Sequence, residues 1–78
     1  METDEKQVMR NIASVRTRVG HTQESIAHKM GVSKRTIINM ENHPFNYTIY
    51  KLNDYAKALG VNINEFFLPL NLTNSEKE

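Results

Sequence analysis

Three glycines divide this chain, and each is followed two positions later by a residue that opens helices: Gly20-His21-Thr22, Gly31-Val32-Ser33 and Gly60-Val61-Asn62. Glycine readily takes the left-handed conformation with which α-helices commonly end. Thr, Ser and Asn side chains accept a hydrogen bond from the unpaired backbone N–H groups of the helix that follows. Stop and start signals so closely repeated restrict the chain to short helices joined by tight turns.

The apolar spacing agrees. Val8, Ile12, Val15 and Val19 form one helical stripe between about Asp4 and Arg18. Thr22 caps a second helix with Ile26, Ala27 and Met30 on one face, closed by Gly31. Ser33 caps a third, with Ile37, Met40 and part of Glu41 turned inward. Pro44 breaks the pattern and restricts His43 as well. Thr48 then caps a fourth helix that places Ile49, Leu52, Tyr55, Ala56 and Leu59 inward. Asn62, with Glu65 three positions on, resembles a capping box and opens a short fifth helix through Phe66 and Phe67. No segment alternates with period two. The expected fold is all-α: a single compact five-helix domain over residues 1–72, followed by a polar tail, 73–78, expected to be disordered.

Seventy-eight residues support one small hydrophobic core. With 38% hydrophobic and 24% charged residues the chain is globular in composition. It has no cysteine, which removes disulfides, thiolate metal sites and a cysteine nucleophile and suits a reducing cytoplasm. No apolar run approaches the roughly 20 residues that cross a bilayer, and the acidic start (Glu2, Asp4, Glu5) is the reverse of a signal peptide. A cytoplasmic protein without a membrane partner is expected. The net charge of +1 conceals an uneven distribution. Residues 6–40 hold seven bases (Lys6, Arg10, Arg16, Arg18, Lys29, Lys34, Arg35) against the single acid Glu24, a local balance of +6. Such a basic segment beside an acidic remainder suits a phosphate-binding face, although a solvated surface has the same composition.

The informative unit is Thr22 to Asn42: a short helix, a tight turn at Gly31-Val32-Ser33, and another short helix. At 100° per residue, Arg35, Asn39 and Asn42 lie opposite Ile37, flanked by Lys34 and Ile38. Arg or Lys matches guanine O6 and N7 in the major groove, and Asn matches adenine N6 and N7. Ile38 fits either a thymine methyl or a half-buried helix contact.

Thr22-Gln23-Glu24-Ser25-Ile26-Ala27, Met30-Gly31-Val32-Ser33 and Thr36-Ile37-Ile38-Asn39-Met40-Glu41-Asn42 together resemble the helix-turn-helix of phage-repressor-like (Cro/C1-type, XRE) transcriptional regulators. The likeness extends through Thr48-Ile49, Leu52, Tyr55 to Val61 and Asn62 to Phe67, so it covers about residues 8–68. It implies a lambda-repressor-like fold whose second and third helices form the DNA-binding unit. It also implies a structural ion pair between Arg16 and Glu41, and base reading by Lys34, Arg35, Thr36 and Asn39. Thr22 (through its hydroxyl and backbone N–H), Gln23, Ser33 and Asn42 are expected at the DNA backbone. Many members have Gly where this chain has His43, and a basic loop where it has Pro44-Phe45-Asn46-Tyr47. Arg10, Lys29 and the Tyr47 hydroxyl are expected to supply backbone affinity instead. The brevity of the chain and its Asn46-Tyr47-Thr48-Ile49 segment resemble restriction–modification controller proteins; short phage-type or mobile-element repressors fit equally.

His21, His28 and His43 have no metal-ligand spacing and read as surface residues, and no metal or cofactor is expected. Tyr47, Tyr50 and Tyr55 read as packing, and the four methionines as gap-fillers. Phe66, Phe67, Leu68, Leu70 and Leu72 exceed what a short final helix needs for its core, and the excess reads as an interface with a second copy. No Gly-rich phosphate loop, nucleophile–base pair or paired carboxylates are present, so an enzyme is rejected. Two functions remain: a homodimeric regulator on double-stranded operator DNA, and a protein-interaction module, antitoxin-like or anti-repressor-like, on the same fold.

Overall fold

Each helix begins where a short oxygen-bearing side chain takes up a free backbone N–H. Asp4 accepts from the N–H of Gln7 at 2.9 Å, Thr22 from Ser25 at 2.9 Å, Ser33 from Thr36 at 3.1 Å and Thr48 from Lys51 at 3.1 Å. The computed structural model describes residues 4–68. Within them lie α1 (Glu5–Val19), α2 (Gln23–Met30), α3 (Lys34–Asn42) and α4 (Ile49–Leu59), with 3-10 turns at Pro44–Asn46 and Ile63–Phe66. Gly31, between α2 and α3, has φ +72, a conformation that costs other L-residues strain. Its N–H bonds back to α2, so the chain reverses within three residues and α3 packs directly on α2.

The core is built from one stripe of each helix: Val8, Ile12 and Val15 of α1, Ile26 and Ala27 of α2, Ile37 and Met40 of α3, and Leu52, Tyr55, Ala56 and Leu59 of α4. Phe66 closes it from the second 3-10 turn, its ring edge-on to Tyr55 with centroids 5.8 Å apart. Asn11 sits inside the α1 stripe and donates from Nδ2 to the carbonyls of Phe66 (3.0 Å) and Leu68 (2.6 Å). A buried amide is thereby satisfied, and the end of the described chain is tied to α1.

The sequence and the structure differ at several points. The fifth helix is a single 3-10 turn that ends at Phe66. Glu65 does not complete a capping box; it pairs with Arg18 of α1 at 2.9 Å, and Asn62 accepts instead from the N–H of Asn64. Ile49, expected inward, is 53% exposed, because α4 packs mainly on α2 and the second 3-10 turn while Ile49 opens its first turn. Val19 and Tyr50 are also exposed. Phe66, expected at a dimer interface, is fully buried in the core and has no surface to offer a second copy. Leu68 is 48% exposed and Phe67 half-buried, whereas Leu70, Leu72 and the 73–78 tail lie outside the described residues.

Candidate nucleic-acid interface

Helix α3 presents Arg35 and Asn42 to solvent, with the half-buried Asn39 on the same face. Ile37, Met40 and Glu41 are buried on the opposite side. The four base-reading candidates are thus not equivalent. Arg35 and Asn39 occupy the outward face. Lys34 lies on one margin, in a concavity shared with Arg16, Thr17, His21, Thr22, Gln23 and Glu24. Thr36 lies on the other margin, toward α4, and its hydroxyl is engaged with Ser33 at 3.0 Å. Ile38 is half-buried.

The N-terminus of α2 borders this surface. Thr22 and Ser25 cap each other: the Ser25 N–H donates to the Thr22 hydroxyl oxygen, and the Thr22 N–H donates to Ser25 Oγ at 2.9 Å. The Thr22 backbone N–H, expected to meet phosphate, is therefore already committed within the protein. Its hydroxyl proton remains available as a donor. Of the other backbone candidates, Ser33 and Arg10 are exposed, while Lys29 and Tyr47 line a separate cleft beside α4.

The position of α3 is set by Glu41, whose carboxylate is buried yet accepts four hydrogen bonds. Arg16 reaches it from α1 through Nε (2.6 Å to Oε2) and Nη2 (3.3 Å to Oε1). Gln23 donates from α2 at 3.1 Å, and the Tyr55 hydroxyl donates from α4. Arg16 Nη1 also holds the carbonyl of His21 in the α1–α2 turn at 3.0 Å. One carboxylate thus joins all four helices, and no buried side-chain polar atom among the described residues lacks a partner. Donation to the Glu41 carboxylate holds the Arg16 guanidinium pKa above its ordinary value against the opposing effect of burial. The donations of Gln23 and Tyr55 to this site are invisible in residue spacing. Helical periodicity places Tyr55 inward but does not say where its hydroxyl points.

Burial first, and then the hydrogen bond to Glu41, push the Tyr55 hydroxyl well above the ordinary tyrosine range. A raised native pKa contributes stability that is fully present below the unfolded value, about 10, and is lost as pH rises beyond it. Urea unfolding should therefore show stability falling with pH above about 10. Tyr55→Phe is expected to be less stable at neutral pH and to show a flatter decline at alkaline pH. A wild-type decline that persists unchanged in the variant would assign it to other groups.

A family profile described as helix-turn-helix matches residues 12–66 of the chain. The chain belongs to this family, the Cro/C1-type (XRE) helix-turn-helix DNA-binding regulators. Among solved structures it is similar to a hypothetical transcription factor, NHTF, from Neisseria, at 24% identity and a TM-score of 0.75. That likeness covers 97% of this chain and 92% of the Neisseria chain and concerns the fold. No functionally curated protein matches the sequence significantly. Among the described residues no helix is long and apolar enough to cross a membrane.

Proposed function

We propose that the protein is a sequence-specific transcriptional regulator that binds operator DNA as a homodimer, laying α3 of each copy in successive major grooves about 34 Å apart. The observation that carries this reading is the outward face of Arg35, Asn39 and Asn42 on a helix fixed from behind through Glu41. Arg35 and Asn39 read base edges, with Lys34 and Thr36 at the margins. The Thr22 hydroxyl, Gln23, Ser33 and Asn42 meet the flanking phosphates. Arg10, exposed on α1, supplies charge farther out. The second copy is met through the apolar surface around Phe67 and Leu68, without Phe66.

Selection of bound sites from a random double-stranded DNA pool, with binding followed against salt, tests this reading. Enrichment of an inverted repeat, bound with a stoichiometry of two chains per site, is the expected result. A pool that stays random would overturn it and leave the fold to a protein-binding role.

A further inference from the structure

On the flank of the helix-turn-helix, away from α1, a cleft runs between the α2–α3 turn, α3 and α4. Its floor is apolar: Met30, Val32, Met40, Tyr47 and Ala58. Its rims carry three exposed lysines, Lys29 from α2 and Lys51 and Lys57 from α4, with Asp54 the single acid. Lys51, Asp54 and Lys57 recur at three-residue intervals and share one side of α4. Among the described residues the ion pairs are Arg16–Glu41 and Arg18–Glu65, so none of these lysines is held in an ion pair, and the three outnumber Asp54.

We propose that this cleft is a docking site for an acidic amphipathic helix of a partner protein. The combination of floor and rim decides between occupants. A phosphate backbone would use the lysines and the Tyr47 hydroxyl but gain nothing from the Met30, Val32, Met40 and Ala58 side chains, whose burial only another apolar surface rewards. An amphipathic helix uses both, with apolar side chains at helical spacing on the floor and carboxylates against the lysines. Methionine in the floor adapts to side chains of different shape. Lys34, Arg35 and Asn39 lie outside the lining, and Thr36 alone is shared with the proposed base-reading set. A partner seated here therefore sits beside DNA-bound α3 without covering its outward face. The proposal does not depend on operator binding, and the two fail in separate experiments.

The probe is a synthetic helix of roughly 15 residues with Leu at i, i+3, i+4 and i+7 and Glu between, paired with a twin in which every Glu is Lys. Each is titrated into the full-length chain with backbone amide NMR shifts as the readout. The acidic peptide is expected to shift Val32, Lys51, Asp54 and Lys57, and the basic twin to leave them unmoved. Lys51→Glu and Lys57→Glu should each weaken binding by about tenfold, and Val32→Ser should weaken it without a change of charge. Lys6→Glu, an equal charge change on α1, should leave it unaltered. Shifts that are absent or scattered, or equal weakening by Lys6→Glu, would overturn the proposal. So would a duplex DNA titration that moves Lys29, Lys51 and Lys57 together, since the cleft would then be a phosphate-binding surface.

Discussion

Glu41→Ala is expected to remove about 3–5 kcal/mol of stability, the cost of leaving a buried charge without its partner. Arg16, its side chain only 15% exposed, would lose its carboxylate, and the Tyr55 hydroxyl and Gln23 amide would lose their acceptor. Domains of this kind hold only about 5–15 kcal/mol in all, so thermal or urea denaturation should find the variant close to its transition under ordinary conditions. The comparison that isolates the charge is the double variant Arg16→Met with Glu41→Leu. Replacing both members by apolar groups avoids the orphaned ion, and such exchanges are often neutral or stabilising. Partial recovery is expected in the double variant, because the buried Tyr55 hydroxyl still lacks its acceptor, and adding Tyr55→Phe should recover more. A loss below about 1 kcal/mol in Glu41→Ala would mean that the site behaves as an exposed pair despite its burial.

The contrast between this network and the rest of the fold explains what was legible in the sequence. Helix starts and stops are local: Thr22, Ser33 and Thr48 cap neighbours only three residues away, so short-range chemistry specifies them. The α3 faces follow from the helical repeat alone, which placed Ile37 and Met40 inward and Arg35 outward. The Arg16 and Glu41 positions came through the family pattern, not through spacing, because 25 residues separate them. Asn11 escaped notice for a related reason. It lies in the apolar stripe of α1, but its partners are backbone carbonyls 55 and 57 residues away, which no residue type announces. Periodicity also misled where a helix outruns its support. Ile49 has the right phase for burial but opens α4 and stays 53% exposed, and Phe66, read as surplus to the core, is what closes it.

Arg35→Ala should leave stability nearly unchanged, since the side chain is exposed and makes no hydrogen bond or ion pair among the described residues, yet it should weaken operator binding by about 1–3 kcal/mol per half-site. Asn39→Ala is expected to act similarly, so the double variant on a two-fold operator should fall toward non-specific affinity. The informative comparison is with Lys34→Ala. Lys34, read from the sequence as a base contact, shares its concavity with Thr22 and Gln23, the proposed phosphate contacts at the start of α2, and is expected to meet phosphate there. Its loss should weaken operator and random duplex alike and lower the slope of log affinity against log salt by about one, while Arg35→Ala should leave that slope nearly intact and relax the preference at one base position. Titration of each variant against operator and random duplexes at several salt concentrations separates the two. If Arg35→Ala weakened both duplexes equally, Arg35 would be a phosphate contact. Sequence reading would then rest on Asn39 and whatever α3 meets beside it.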